Sequence, residues 1–281
     1  MKVNQVTSRL GFGCVALTNF KWSSHAVDFL KLVYDSGIIY YDTAPIYGGG
    51  YSERILGNFI RSQRRENLVV TTKFGLSVPA PKIPVFAALP LNNLRKQIMK
   101  PSPYRPAELA VPEVYPKRII KLQEVLHSLE NSLRNLRTDY IDNFLLHEGI
   151  PDFLTEEALN FLFEKKEEGV IGKLGIACNY VNIRTLQESA LTDWDILQYE
   201  NGALYNTKDI LSSFPNKQHI YHSILRYTYL TDEAPVDISP EKKAGYILAK
   251  YLKENPKGMV LFSTGSKKNL SLNLSSIEEY S

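Results

Sequence analysis

The stretch IIYYDTAPIYGGGYSERILG, residues 38–57, leaves a predicted strand through an acid and a phenol. It begins with β-branched and aromatic residues, which favour a strand. Asp42 stands where the apolar run ends, and Tyr47 follows five positions later. Three glycines at 48–50 come directly after Tyr47. Because glycine turns at little steric cost, the pattern predicts a strand and then a tight loop that carries Asp42 and Tyr47.

Eight apolar runs of this kind recur along the chain, with helical patterns between them. Most are continuous rather than alternating, as is typical of parallel strands that are covered on their outer face. The runs begin at Leu10, Ile38, Leu68, Tyr140, Lys173, Asp195, Gln218 and Met259. This alternation predicts an α/β fold, a (β/α)8 TIM barrel, formed as one domain by residues 1–281. A doubly wound open sheet is the competitor, but GFGCVA at 11–16 lacks the third glycine of its GxGxxG pattern.

One β/α connection, at about residues 75–116, is long and rich in proline. Most connections in compact domains are far shorter. In a barrel it would lie at the end where active sites are built, so we interpret it as an insertion that faces the substrate. A surface excursion without a role is the alternative.

Bulk composition excludes several classes of protein. The net charge of +3 is too small, and the basic residues too scattered, to favour nucleic acid as a partner. The cysteines, Cys14 and Cys178, form no CxxC pair, which argues against a disulfide framework or a zinc site. No apolar run approaches the roughly 20 residues of a membrane helix, and MKVNQVTSRLGFGC lacks the apolar core of a signal peptide. We expect a cytoplasmic protein that binds no metal and has no nucleic-acid or membrane partner.

Polar side chains end three consecutive predicted strands. Asp42 ends the second, Lys73 the third and His147 the fourth, while Tyr47 follows the second strand in its loop. The C-terminal ends of barrel strands meet at one mouth, so we expect these four side chains to converge there. Taken singly, each has an ordinary explanation: a turn-forming Asp, a solvated Lys or a structural His.

Together the four side chains suit one kind of chemistry. A phenol has a pKa of about 10 and is a poor acid at neutral pH. A nearby ammonium such as Lys73 stabilises the phenolate and lowers that pKa, and a buried lysine needs a counter-ion such as Asp42. His147 can donate a hydrogen bond to a carbonyl oxygen. The set predicts a site that polarises and protonates a C=O group as a hydride arrives.

The segment DTAPIYGGGYSERILG resembles the signature of the aldo-keto reductase superfamily. The resemblance continues through TTKFG, SLENSLRNLRTDYIDNFLLHE, GKLGIACNY and LQYENGALYN. It implies a (β/α)8 barrel that uses NADPH, less often NADH, to reduce aldehydes and ketones or to oxidise alcohols and sugars. It also implies a catalytic tetrad of Asp42, Tyr47, Lys73 and His147, with Tyr47 as the general acid and base.

The resemblance further implies which residues hold the nicotinamide. Gln198 matches the family's glutamine in the sixth strand. The family's Ser-Asn pair corresponds either to Cys178 and Asn179 or, one position earlier, to Ala177 and Cys178. We prefer Asn179, because an amide side chain both donates to and accepts from a carboxamide.

The remaining cofactor residues follow the last two strands. His222 occupies the place of the family's stacking aromatic, although a strand-end histidine with backbone partners is the alternative. Leu225 and Arg226 fall where the pyrophosphate would pass. The resemblance assigns the adenosine half to Gly265, Ser266, Lys267 and Asn273. This match favours NADP(H) as the cofactor. NAD(H) stays the alternative, because the segment has no strongly placed arginine to bind the 2′-phosphate.

The sequence therefore predicts an NAD(P)H-dependent oxidoreductase, an alcohol or aldose dehydrogenase in the reverse direction, that acts on a small aldehyde, ketone or sugar. The alternative is a regulatory barrel subunit that binds the cofactor with slow or no turnover. A metal-dependent barrel hydrolase is disfavoured, because of the histidines only His147 and His222 stand at strand ends.

Overall fold

The computed structural model describes residues 7–76, 84, 87–90, 118–205, 207–226, 228 and 233–281. Eight parallel strands close into a barrel in sequence order, with β1 paired to β8. The strands are β1 Leu10–Gly13, β2 Tyr40–Asp42, β3 Val69–Phe74, β4 Ile141–His147, β5 Ile171–Cys178, β6 Ile196–Glu200, β7 Gln218–His222 and β8 Met259–Phe262. The prediction of an α/β (β/α)8 barrel is confirmed.

Helices follow the strands and cover the outside of the barrel. The α-helices whose bounds lie within the described residues are α1 Ser23–Asp35, α2 Tyr51–Ile60, α3 Leu122–Leu136, α4 Glu156–Glu167, α5 Tyr180–Ile183, α6 Lys208–Ser213, α7 Lys243–Glu254 and α8 Lys267–Tyr280. Short 3-10 helices occupy Thr7–Arg9, Cys14–Asn19, Arg65–Asn67, Pro151–Phe153 and Glu188–Leu191.

The strands bury both of their faces. Alternate residues point to opposite sides of a strand, so the inner and outer faces contribute to two separate apolar clusters. The inner cluster fills the barrel and comprises Tyr40, Leu145, Ala177, Ile196, Ile220, Met259 and Leu261. Neighbouring residues such as Tyr41 and Phe144 join the larger cluster between the strands and the helices. This double burial is why the runs in the sequence are continuous rather than alternating.

The start of α2 fixes the loop that carries Tyr47. Gly50 precedes the helix in the left-handed region, with φ +88°. The buried Ser52 lies within the first turn, where its hydroxyl donates to the carbonyl oxygen of Cys14 at 2.9 Å. The same hydroxyl lies 2.9 Å from the Thr43 hydroxyl, so the loop is tied to β2 and to the segment after β1.

Most of the proline-rich insertion predicted at about 75–116 lies outside the described residues. Its role beside the substrate therefore stays a prediction. That residues 1–281 form one domain stays a prediction. In the part of the chain that the structure describes, no helix is both long and apolar enough to cross a membrane.

Candidate active site

A cavity of about 400 Å³ opens at the C-terminal ends of the strands. Residues from β1 and the segment after it, from the ends of β2 to β8 and from several loops line it. Its walls are formed by Gly13, Val15, Asp42, Tyr47, Lys73, His147, Glu148, Ala177, Gln198, His222, Ser223, Ile224, Leu225, Arg226, Leu261, Phe262 and Ser263. The four side chains predicted to converge at the mouth all belong to this set.

Lys73 and Asp42 form a buried ion pair in the cavity wall. Asp42 stands opposite Thr71 in the pairing of β2 with β3, so Lys73 lies two residues further along the neighbouring strand. The Lys73 ammonium donates to Asp42 Oδ1 at 2.8 Å and Oδ2 at 2.9 Å. It also donates to the Thr43 carbonyl oxygen at 2.9 Å. Both side chains are at most 4% exposed, so water screens their attraction little.

Tyr47 lies between Lys73 and His147. The Lys73 ammonium is 5.2 Å from the centre of the Tyr47 ring. The Tyr47 and His147 rings meet edge to face, with centres 6.4 Å apart and planes at 88°. The backbone N–H of Tyr47 donates to the Ala44 carbonyl oxygen at 3.0 Å, which closes the turn after β2. A phenol, an ammonium and an imidazole thus share one wall of the cavity.

Opposing effects set the pKa values of Tyr47 and Lys73. Burial raises the pKa of Tyr47, the charge of Lys73 lowers it, and Asp42 raises it again, so that the pKa lies above the ordinary phenol value. Burial lowers the pKa of Lys73, but Asp42 and Tyr47 together raise it above the ordinary lysine value. At neutral pH Tyr47 is therefore a protonated phenol beside a charged ammonium. The net direction for Tyr47 is opposite to the lowering expected from Lys73 alone.

Both cavity histidines are neutral. Burial, followed by Lys73 and His222, lowers the pKa of His147 well below its ordinary value. Burial also lowers the pKa of His222, to about 4. The His147 Nδ1 atom is buried and has no hydrogen-bond partner among the described residues. The His222 Nδ1 atom lies 2.9 Å from the Ser223 hydroxyl. Since neither ring carries a charge, each can offer one N–H donor and one acceptor.

The predicted nicotinamide residues divide into two groups. Gln198 lines the cavity, opposite Ala177 in the pairing of β5 with β6. Its buried Oε1 atom has no hydrogen-bond partner in the part of the chain that the structure describes. Cys178 packs into the outer apolar cluster, and the Asn179 side chain caps α5 by accepting from the Asn182 backbone N–H at 2.8 Å. Neither Cys178 nor Asn179 is among the residues that line the cavity, whereas Ala177 is.

The other predicted cofactor residues also divide by position. His222, Leu225 and Arg226 line the cavity. The cavity lining does not include the four residues assigned to the adenosine half, Gly265, Ser266, Lys267 and Asn273. These residues follow β8, at the start of α8 and within it. Ser266 caps α8 by accepting from the Asn269 backbone N–H at 3.3 Å. The helix thereby presents its amino end beside the exposed Lys267, a combination that favours an anion.

Two acids beside the cavity were given no role from the sequence. Glu148 follows His147 directly and lines the cavity. The buried Glu200 ends β6 and pairs with Arg226 at 3.1 Å. Their only signal in the sequence is a charged residue at the end of an apolar run, in FLLHE and LQYE. Across the residues described, no group of three or more His, Cys, Asp or Glu side chains is placed to hold a metal ion.

A sequence model of the Aldo/keto reductase family matches residues 9–216, more than half of the chain. The chain is 28% identical over 175 residues to the aldo-keto reductase YhdN of Bacillus subtilis, a match that covers 60% of this chain and 43% of that protein. It is 30% identical over 181 residues to the D-threo-aldose 1-dehydrogenase of a Pseudomonas species, covering 59% and 49%. In these matches the chain spans about half the length of the curated relatives.

Solved structures share the fold at lower identity. The holo form of the aldo-keto reductase AKR11C1 from Bacillus halodurans superposes with a TM-score of 0.66 and 19% identity, over 96% of this chain and 86% of that one. An aldo/keto reductase from Klebsiella pneumoniae, solved in complex with NADP and acetate, gives a TM-score of 0.62 at 16% identity, again over 96% and 86%.

Proposed function

The chain belongs to the aldo/keto reductase family, and from this premise we propose that it transfers a hydride between a nicotinamide cofactor and a small carbonyl compound. One observation carries the proposal: Tyr47, Lys73, Asp42 and His147 lie together in the wall of one cavity. Lone polar groups at strand ends have structural explanations. A buried lysine that bridges a carboxylate and a phenol ring beside an open cavity is typical of acid–base chemistry.

Each side chain has a proposed role in moving a proton. Tyr47 donates its proton to the carbonyl oxygen during reduction and accepts it during oxidation. Lys73 stabilises the phenolate that is left, and Asp42 holds the ammonium in place through both carboxylate oxygens. The neutral His147 donates a hydrogen bond from a ring N–H and so orients the carbonyl oxygen, while the transferred proton comes from Tyr47.

A nicotinamide cofactor suits the residues at the floor of the cavity. When bound, it supplies the hydride that the side chains of this protein cannot. Among the described residues, no donor serves the buried Gln198 Oε1 atom, as expected where the N–H group of a carboxamide ligand belongs. His222 offers a flat, uncharged ring at the end of the neighbouring strand β7. Ser266 and Lys267, at the amino end of α8, support a preference for NADP(H) over NAD(H).

The substrate class is proposed at the level of the family: aldehydes, ketones or sugars. One curated relative is a D-threo-aldose 1-dehydrogenase, which is compatible with a hydroxylated substrate. A cytoplasmic location also stays a proposal.

The test measures turnover of a panel of carbonyl compounds with NADPH and with NADH. The reaction is monitored through the loss of absorbance of the reduced nicotinamide. Tyr47→Phe removes one hydroxyl and should lower kcat by about 100-fold or more, because general acid catalysis contributes about 100- to 10,000-fold. Tyr34→Phe is the matched control, since Tyr34 packs against Phe59 outside the cavity. If Tyr47→Phe kept full activity, the role given to Tyr47 would be wrong.

A regulatory barrel with slow turnover is the second candidate. It is favoured by the engagement of Asn179 as a helix cap and of Cys178 in the outer cluster, which leaves Gln198 to hold the carboxamide without them. Tight nicotinamide binding without turnover of any carbonyl in the panel would favour this candidate over the enzyme.

A further inference from the structure

Glu148 is an acid in the cavity wall that the proposed proton chemistry does not use. It follows His147 at the end of β4 with φ +55°, a conformation that residues other than glycine seldom adopt. Its backbone N–H donates to the Ala177 carbonyl oxygen at 2.7 Å, which extends the pairing of β4 with β5 by one residue. Glu148 is thereby held beside His147 on an element of the barrel rather than on a free loop.

Among the described residues, one oxygen of the Glu148 carboxylate has hydrogen-bond partners and the other has none. Oε2 accepts from the Asn179 backbone N–H at 3.0 Å and from the Asn182 amide at 3.4 Å. Among the described residues, no donor forms a hydrogen bond with Oε1. The carboxylate thus has one anchored oxygen and one oxygen available to a ligand.

Glu148 also has no cationic partner in the part of the chain that the structure describes. The other charged groups of the cavity wall are paired: Lys73 with Asp42, and Arg226 with Glu200. Within the described part of the chain, no lysine, arginine or histidine lies within 4.0 Å of the Glu148 carboxylate. Burial, with a contribution from Glu200, raises the pKa of Glu148, while the bonds from Asn179 and Asn182 oppose that rise. A carboxylate beside the reacting groups, without a cation among the described residues, attracts hydrogen-bond donors and repels negative charges near the carbonyl of a substrate.

We propose that Glu148 selects the substrate, with its free oxygen accepting a hydrogen bond from a hydroxyl group and its charge excluding carbonyl compounds that bear a carboxylate. The inference rests on the proposed function and names its substrate class: neutral, hydroxylated aldehydes and ketones. A site that hydrogen-bonds a substrate hydroxyl discriminates strongly against analogues that lack it, because its own polar group is then left without a partner. A bond between a hydroxyl and a charged acceptor corresponds to about tenfold to hundredfold in kcat/KM.

The test compares benzaldehydes that carry a methyl, hydroxymethyl or carboxylate group at the meta or para position. Wild-type protein should use the best hydroxymethyl compound at least about tenfold better than its methyl analogue, and the carboxylate compounds worst. Glu148→Gln keeps the size of the side chain and an acceptor for the Asn179 N–H, but removes the charge. It should raise the carboxylate-to-methyl ratio of kcat/KM at least about tenfold and reduce the preference for hydroxymethyl.

Asp152→Asn is the matched control. It removes an exposed carboxylate four residues further along, which lies outside the cavity, and should leave all ratios unchanged. A structural role for Glu148 would lower kcat/KM for every compound by the same factor and leave the ratios alone, and that result would overturn the inference. Wild-type protein that turns over no carbonyl with either nicotinamide would instead overturn the proposed function, and the inference with it.

Discussion

The ion pair between Lys73 and Asp42 leads to a prediction in which the effects of mutation on stability and on catalysis differ. Three variants are compared with the wild type: Asp42→Asn, Lys73→Met and the double variant that combines them. Each single change leaves one charge buried without its partner, because both side chains are almost fully enclosed. The double change removes both charges together.

The expected magnitudes follow from the contacts. In Asp42→Asn the two charged acceptors of the ammonium, at 2.8 and 2.9 Å, are replaced by one neutral amide oxygen, and the Thr43 carbonyl oxygen is kept. Breaking a buried pair from one side costs about 3–5 kcal/mol of unfolding free energy, and Lys73→Met should cost about the same. The double variant leaves no buried charge but a neutral amide to be satisfied, which costs about 1–3 kcal/mol. The Thr43 carbonyl oxygen loses its donor both in Lys73→Met and in the double variant, so that cost cancels in the comparison. The sum of the two single effects should therefore exceed the double by about 3 kcal/mol or more.

The measurement is equilibrium unfolding in urea, followed by circular dichroism and by tryptophan fluorescence. Domains of ordinary stability have about 5–15 kcal/mol to lose, so the single variants lie within reach. Carbonyl reduction is assayed on the same preparations. All three variants should lose most of their activity, so that the double variant is the more stable protein and yet inactive.

A double variant that is destabilised by the sum of the two single effects would refute this reasoning. It would mean that Lys73 and Asp42 contribute independently and that their contact carries little coupling free energy. A single variant that fails to fold while the double variant folds would give the expected order by another route.

Three further predictions can be checked separately. Since burial raises the pKa of Tyr47 and the phenol must be protonated to act as an acid, kcat/KM for reduction should fall only as the pH rises above about 10, and a fall centred well below that value would contradict the structure. Gly57→Ala should lower the unfolding free energy by about 1–3 kcal/mol in urea, because its Cβ would collide with the Asn135 carbonyl oxygen where α2 meets α3; an unchanged midpoint would contradict that close approach. Lys267→Ala should weaken NADPH binding about threefold to tenfold, measured by fluorescence titration, and leave NADH binding unchanged, whereas Lys257→Ala at the opposite end of the barrel should change neither.

The sequence predicted the barrel and the grouping of four polar residues for one physical reason. Polar groups that follow buried parallel strands without a spacer must emerge at the same end of the barrel. Asp42, Lys73 and His147 satisfy that condition, and the short loop after β2 keeps Tyr47 beside them. The grouping needed only the order of the strands, which hydrophobic patterns reveal well.

The sequence did not resolve the nicotinamide residues at the end of β5, because a shift of one residue exchanges the two faces of a strand. Ala177 faces the cavity and Cys178 faces the helices. Asn179 was preferred for its chemistry, yet its side-chain oxygen is engaged by the first turn of α5. Asparagine is among the best helix caps, and α5 begins at the next residue. Local capping therefore competes with ligand binding at this position, and the sequence pattern alone does not indicate which prevails.

The pKa of Tyr47 is raised, whereas the sequence predicted that Lys73 would lower it, because the charged neighbours alone do not include the effect of burial. From the sequence, Lys73 with Asp42 as its counter-ion was expected to lower the pKa of the phenol. In the folded protein Asp42 accepts two of its hydrogen bonds and itself raises the pKa of Tyr47, while burial adds the largest contribution in the same direction. The phenol therefore keeps its proton in the resting protein, as a reduction requires. Oxidation requires the phenolate, so its rate should rise with pH over the same range in which reduction falls, and equal pH profiles in the two directions would count against Tyr47 as the shared acid and base.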